Sequence, residues 1–204
     1  RTIGQFFAQE VAAPLGLDFW IGLREAQESR VATLVPPPPE FAALIRGLPD
    51  DLLLGKATTG PSGLFMYDDM WNRRGLRACE LPSSNGVGDA RSVARLYASL
   101  LGEVDGVRTL QAATVAAASE YQARGPDRVI LVDTAFGLGF MLPPALPAAV
   151  GRRAFGHGGA GGSVSFADPD AGLAFAYAMN DLRFEVDGDP RGETLAAAAY
   201  SCLR

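Results

Sequence analysis

The spacing of hydrophobic residues divides the chain into a mainly helical part and a strand-rich part. In the first part apolar residues recur every three or four positions, as Ile3, Phe6 and Val11 do, which is the period of an amphipathic helix. Asp89 is a typical helix N-cap, and Gly102 is a typical helix end. The pattern predicts helices at residues 3–13, 40–47, 90–101, 111–121 and 191–203.

From Phe136 onward bulky and small residues alternate, which is the two-residue period of a strand. The Asp-Pro-Asp-Ala-Gly sequence at 168–172 predicts a hairpin turn. The strands are predicted at residues 136–141, 154–156, 163–167 and 173–179. The last three are expected to be antiparallel neighbours, and the strand that begins near residue 154 is expected to reach residue 159. The closing helix is expected to pack on this sheet.

Between these parts lie segments without a clear period. Residues 17–23 form a short apolar extended piece, and residues 36–39 are four prolines, typical of a rigid spacer or an exposed loop. Residues 55–88 are rich in Gly, Pro, Ser and Asn and predict a long loop region. The fold class is therefore α+β. We expect one domain, with residues 1–134 as its helical and loop part and 135–204 as its antiparallel strands and C-terminal helix.

Composition limits the possible partners. The 204 residues carry a net charge of −5 with scattered arginines, so a nucleic-acid partner is not expected. No apolar run reaches the length of a membrane-spanning helix. The spacing of Cys79 and Cys202 suits neither a disulfide framework nor a metal site, and both are predicted to be buried. Few cysteines and no recognisable signal peptide favour a cytoplasmic location.

Residues 155–163 form a glycine-rich run around His157, the only histidine of the chain. Gly156, Gly158 and Gly161 match a dinucleotide-binding pattern, but that site requires a helix after the glycines, where a strand is predicted here. A His-Gly-Gly oxyanion loop of an α/β-hydrolase requires a nucleophile elbow and a second histidine, and the sequence has neither. A glycine turn with a purely structural histidine remains open.

Residues 155–180 resemble the C-terminal motif region of the serine β-lactamase-like hydrolases, especially the class C-related esterases with His-x-Gly in place of Lys-Thr-Gly. Other segments resemble the same family in the expected order along the chain. They are Pro14-Leu15-Gly16-Leu17, Ser84-Asn85-Gly86 with Ala90, Arg95 and Leu96, and Phe136-Gly137-Leu138-Gly139-Phe140. The resemblance implies the C-terminal portion of the β-lactamase/transpeptidase-like fold, an antiparallel sheet flanked by helices.

The resemblance also implies site residues. His157 stands at the position of the motif lysine, and Gly158 and Gly159 stand at the other two motif positions. Ala160 is expected to supply an oxyanion-hole N–H, and Gly161 is expected to leave room for the acyl group. The substrate is expected to be a small ester or lactam, with esters favoured because histidine replaces lysine, and no cofactor or metal is implied.

Two family motifs are missing from this sequence. Ser-x-x-Lys requires a serine three residues before a lysine, but the only lysine is Lys56 and position 53 is Leu53. Tyr-x-Asn is absent too, because Asn180 follows Tyr177 by three residues. We therefore expect an N-terminal part, as a separate chain or an upstream segment, to supply both motifs, and we expect the isolated chain to be inactive. The alternative is a catalytically inactive β-lactamase-like binding protein.

Overall fold

A computed structural model of the chain describes residues 1–49, 51–60, 63, 65–184 and 189–203. Its helices are α1 (Ile3–Phe7), α2 (Ala13–Leu15), α3 (Pro39–Arg46), α4 (Leu53–Thr59), α5 (Arg74–Ala78), α6 (Ala90–Leu101), α7 (Ala112–Ala118) and α8 (Pro190–Ser201). Its strands are β1 (Phe19–Trp20), β2 (Val87–Gly88), β3 (Ala123–Pro126), β4 (Asp133–Phe136), β5 (Phe155–Gly158), β6 (Val164–Asp168) and β7 (Leu173–Tyr177). None of the helices in this described part is long and apolar enough to cross a membrane.

The N-terminal helix is longer than its pattern predicts. Thr2 caps α1 with a capping box, and a π-helical turn, Ala8–Ala12, joins α1 to α2. The helix passes Pro14 and ends at Gly16, whose φ of 62° is a left-handed conformation that glycine adopts without strain. The wider π-helical turn lies directly before the proline, where a regular helix would lose a backbone hydrogen bond.

The centre of the fold is an antiparallel sheet in the order β5-β6-β7, as the alternating pattern predicts. Helix α6 covers one face, where Tyr97 and Leu100 pack with Phe155 and Ala167. Helix α8 covers the other face, where Ala196 packs with Phe166 and its neighbours. These layers confirm the predicted α+β class with an antiparallel sheet flanked by helices. Because β6 follows the glycine-rich run, the dinucleotide-binding arrangement is excluded.

The strand predicted at residues 136–141 is wrong. Strand β4 ends at Phe136, and the chain turns through Gly137–Gly139 before Met141 bridges Phe136 and Gly156. Gly139 has a φ of 85°, and a Cβ on Gly137 would lie 2.2 Å from the Ala118 carbonyl oxygen, so the glycines mark a tight turn and not the small positions of a strand. Strand β3, which pairs with β4, carries no hydrophobic alternation and was not predicted.

Two further expectations are corrected. The region 55–88, predicted as a long loop, contains most of α4, a 3-10 turn at Asp69–Asn72, helix α5 and strand β2, which pairs with β1. Short elements of this kind have too few residues to show a hydrophobic period. Cys79 and Cys202, predicted to be buried, are exposed, because Cys79 caps the C-terminus of α5 and Cys202 caps that of α8.

Candidate active site

His157 lies in β5, at the edge of the three-stranded sheet, and its side chain is exposed. It faces Ser165 across the strand pair, on the same side of the sheet as the buried Phe155. The imidazole Nδ1 is 2.6 Å from the Gly158 carbonyl oxygen. Because a carbonyl only accepts hydrogen bonds, Nδ1 is the donor of this bond, and Nε2 is left for another partner.

Met141 covers most of the outer edge of β5, and a backbone N–H without an acceptor appears only just beyond the strand. Gly156 is covered there, since it exchanges hydrogen bonds with Met141 at 3.0 and 2.7 Å. The Gly158 N–H reaches only the Met141 sulfur, at 3.3 Å, which is a weak acceptor. Gly159 donates inward to Ser163, and the next N–H, that of Ala160, has no backbone acceptor within the described residues. Ala160 is exposed. A preorganised N–H of this kind is suited to a developing oxyanion.

The turn after β5 contains Gly161 and Gly162, and side chains from other segments pack closely against these two glycines. A Cβ on Gly161 would lie 2.6 Å from Leu182 and 2.9 Å from Met179, and the Gly161 carbonyl accepts from the Arg183 N–H at 3.1 Å. Gly162 has a φ of 107°, and its Cβ would lie 2.1 Å from an Asp189 carboxylate oxygen. Gly162 is therefore favoured by its positive φ and close packing, whereas the atoms nearest Gly161 are the ends of flexible side chains.

Gly158 differs from these glycines, because nothing lies within 4 Å of the position that its Cβ would take. At Gly159 the only close neighbour is Ser163, whose Oγ would be 2.3 Å away. The structure thus brings together His157, Gly158, Gly159, Ala160 and Gly161 on one short strand and turn. Open space lies beside Gly158, and the contact of Gly161 is with the segment 179–183. The role of Gly161 in accommodating an acyl group stays a prediction.

The Ser84-Asn85-Gly86 segment serves the fold. Asn85 is buried, accepts from the Leu81 N–H at 2.9 Å, and donates to the carbonyls of Leu76 and Cys79 at 2.8 and 2.6 Å. These bonds use both N–H donors of the amide and one lone pair of its oxygen, so Asn85 holds the loop before β2 to the end of α5. Lys56 is exposed on α4, and the described residues contain no group of His, Cys, Asp and Glu side chains that would hold a metal ion.

Tyr97 lies behind the site, on α6. Burial raises the pKa of its hydroxyl, and a hydrogen bond with Ser165 partly opposes that rise, so the phenol stays neutral over the ordinary pH range. Ser165 is the cross-strand partner of His157. The sequence did not single out Tyr97 as a support for this strand pair, nor Leu182 and Arg183 as supports for the glycine turn, because these contacts join segments far apart in the chain.

Several known proteins are similar to this chain in sequence, and some of them also in structure. The chain is 32% identical over 184 residues to the esterase/beta-lactamase LipL of Mycobacterium tuberculosis, an alignment that covers 86% of this chain and 42% of LipL. A crystal structure of a family VIII carboxylesterase is 35% identical and superposes with a TM-score of 0.80, covering 99% of this chain and 52% of that one. EstA from Arthrobacter nitroguajacolicus is 30% identical with a TM-score of 0.82, covering 100% and 54%.

The chain thus spans about half the length of these relatives. The family model described as Beta-lactamase matches residues 1–200, which is nearly the whole chain. This chain belongs to the Beta-lactamase family.

Proposed function

We propose that the chain is the C-terminal part of a serine hydrolase that cleaves ester or amide bonds through an acyl-enzyme. In this proposal an N-terminal part supplies Ser-x-x-Lys and Tyr-x-Asn, which the 204 residues do not contain. The observation that carries the proposal is the end of β5, where the exposed His157 stands three residues before Ala160, an exposed residue whose N–H has no backbone acceptor within the described residues. The relatives named as esterases support esters as the substrate class.

The reaction would proceed in two steps. The serine hydroxyl passes its proton to the lysine and tyrosine of the N-terminal part, and its oxygen bonds to the substrate carbonyl carbon. The carbonyl oxygen becomes an oxyanion and accepts a hydrogen bond from the Ala160 N–H. The carbon–oxygen bond to the leaving group breaks, and the leaving group takes up the proton as an alcohol. Water then attacks the acyl-serine, releasing a carboxylic acid and restoring the serine.

His157 would assist without forming a covalent bond. Since Nδ1 is engaged with the Gly158 carbonyl, Nε2 is the atom available to the cleft, and no described residue bonds to it. A neutral imidazole in this state accepts a hydrogen bond from the tyrosine hydroxyl of the relay or from the attacking water. Gly158 and Gly159 keep side chains away from the same edge.

The position of β7 supports the need for an N-terminal part. Within the described residues β7 pairs with β6 along one edge, and no strand pairs with its other edge. An apolar strand with one unpaired edge favours the addition of another strand. In the complete protein we propose that the N-terminal part adds its strands to this edge and places its serine beside β5.

The test removes the proposed oxyanion donor. In the full-length protein, Ala160→Pro deletes the N–H and is expected to lower kcat for p-nitrophenyl acetate by about 100- to 1,000-fold. Ala160→Gly keeps the N–H and serves as the matched control, with activity within a few-fold of wild type. The isolated 204-residue chain is expected to show no turnover. Ester hydrolysis by the isolated chain, or a full-length protein without any hydrolase activity, would contradict the proposal. The second result would instead support the catalytically inactive binding protein.

A further inference from the structure

A groove of about 840 Å³ opens between the proline run and the segment that follows β7. One wall is formed by residues 35–41 with Leu44, and the other by residues 181–184. Ligand pockets in proteins commonly measure about 300–1,000 Å³, so this volume is that of a small-molecule site. Val35 fixes the two walls together, because its N–H donates to Asn180 at 2.6 Å and its carbonyl accepts from Leu182 at 3.0 Å.

Prolines and aromatic rings form most of the groove. The Phe41 and Phe184 rings stack with centroids 4.4 Å apart, and Tyr67 meets Phe184 edge-on at 5.2 Å. The Tyr67 hydroxyl donates to the Thr58 carbonyl at 2.7 Å, and burial raises the pKa of this hydroxyl, which therefore stays uncharged. The four prolines restrict the backbone of the wall that also carries Phe41. Leu44, which is 63% exposed, completes the hydrophobic lining.

Two of the charged groups in the groove compensate each other. The Arg183 guanidinium lies 2.9 Å from the Asp181 carboxylate, and Arg191 lies 3.6 Å from the same carboxylate. Glu40, the third charged residue of the lining, is exposed and adds a carboxylate, so the groove disfavours an anionic ligand. A neutral, apolar group fits this surface best, because its transfer from water is favourable and requires no new polar partner.

The groove is continuous with the glycine turn of the candidate active site. Leu182 and Arg183 line the groove, and the same two residues contact Gly161 through packing and through the 3.1 Å hydrogen bond. Gly161 directly follows Ala160, the proposed oxyanion donor. Leu182, Arg183 and Gly161 thus connect the groove to the turn that carries the Ala160 N–H.

We propose that the groove binds the apolar arm of an ester substrate, an alkyl chain or aryl ring larger than acetyl or methyl, while the ester carbonyl lies at the Ala160 N–H. This inference rests on the proposed function. It adds that the enzyme selects substrates by the size of one arm, with Phe41 and Leu44 as the selecting side chains. Either the acyl chain or the alcohol supplies this arm.

The test compares long and short arms in the full-length protein. The acyl series is p-nitrophenyl acetate against p-nitrophenyl octanoate, and the alcohol series is methyl acetate against octyl acetate. Phe41→Ala and Leu44→Ala are each expected to lower kcat/KM for the long member of one series by about 10-fold, with the short members within two-fold. Leu195→Ala, another exposed helical leucine outside the groove, is the matched control and is expected to change neither.

The outcomes separate the two proposals. The series that loses selectivity identifies the arm, whereas equal losses for long and short members, or no loss in either series, would overturn the groove assignment. If no ester is hydrolysed, the proposed function fails. A binding measurement then tests the groove assignment independently of activity. Calorimetry with p-nitrophenyl octyl ether, which cannot be hydrolysed, should then show tighter binding than the ethyl ether and about 10-fold weaker binding in Leu44→Ala. Equal affinities for the two ethers, or no effect of the variant, would overturn the assignment.

Discussion

The two hairpin turns of the central sheet are built in opposite ways. The β6–β7 turn is organised by a side chain: Asp168 is 1% exposed and accepts hydrogen bonds from the N–H groups of Gly151, Asp170 and Ala171 and from the Tyr200 hydroxyl. The β5–β6 turn has no such central side chain. It consists of glycines and Ala160, and its shape is set by Leu182, Asp189 and other residues from outside the hairpin.

In this sheet one turn, β6–β7, is fixed by a buried side chain, and the other, β5–β6, keeps exposed backbone. A buried carboxylate satisfies several donors at once and fixes the β6–β7 turn from within. At the β5–β6 turn the same solution would fill the space that the proposed substrate requires. Outside support leaves the Ala160 N–H of that turn without a backbone acceptor among the described residues, while Gly159 and Gly162 donate within the turn.

Asp168→Ala should have the largest effect on stability. It leaves three N–H groups and the Tyr200 hydroxyl without their acceptor, so we expect the free energy of unfolding to fall by about 3 kcal/mol. Tyr200→Phe removes one of these bonds and should cost about 1 kcal/mol. Chemical denaturation of the full-length protein measures both. Equal losses in the two variants would show that Asp168 does not organise the turn.

The pH dependence of stability gives a second measurement on Asp168. Burial tends to raise the pKa of this carboxyl, but the hydrogen bonds from Tyr200, Gly151, Asp170 and Ala171 outweigh burial and lower it below its ordinary value. A lowered pKa in the folded state adds stability above the ordinary carboxyl pKa, and that stability is lost as the pH falls through the folded-state value. Asp168→Asn should therefore flatten the acid limb of the stability curve.

Gly162→Ala should have an intermediate effect. The new Cβ would meet the Asp189 carboxylate, and alanine is strained at a φ of 107°, so we expect a loss of about 2 kcal/mol. Gly158→Ala is the matched control, because nothing lies near its Cβ position, and its stability should stay within about 0.5 kcal/mol of wild type. Similar losses at both positions would mean that the turn is not supported from outside.

His157→Ala should have the smallest effect on stability and a large effect on activity. The side chain is exposed and bonds only to its own neighbour Gly158, so the melting temperature should hardly change. We expect kcat/KM for short esters to fall by about 10- to 1,000-fold, a loss of roughly 1.4–4 kcal/mol of transition-state stabilisation. Unchanged kinetics with a melting temperature lowered by several degrees would make His157 a structural residue.

The long periodic elements are those that the sequence predicted well. Helix α6 shows a clear apolar face and a capping aspartate, and strands β5 to β7 alternate around a strong turn signal. Strand β3 escaped prediction because its residues, Ala123–Pro126, are mostly exposed and include an Arg, a Gly and a Pro. Exposed strands have no buried face to impose alternation, so their pairing depends on the partner strand.

The sequence predicted the residues of the candidate site that follow one another in the chain, but not the distant residues that support them. The motif region places His157 and Ala160 on one strand end, but the supports of that strand end come from elsewhere. Leu182 packs on Gly161 and Asp189 packs on Gly162, contacts that exist only after β7 and α8 have folded back. The groove likewise requires Val35 to pair with the segment after β7, more than 140 residues later. No local period or motif encodes pairings at this distance.

The scarcity of lysine gives the chain a built-in labelling site. Lys56 is the only lysine among 18 basic residues, and it is exposed on α4. It stands two residues before Thr58, whose carbonyl accepts a hydrogen bond from Tyr67, the ring that packs edge-on against Phe184 of the groove. An amine-reactive fluorophore on this chain modifies one side chain besides the α-amino group, and that side chain lies in the helix that holds Tyr67. The difference in fluorescence between labelled wild type and labelled Lys56→Arg would isolate this position and report ligand entry into the groove.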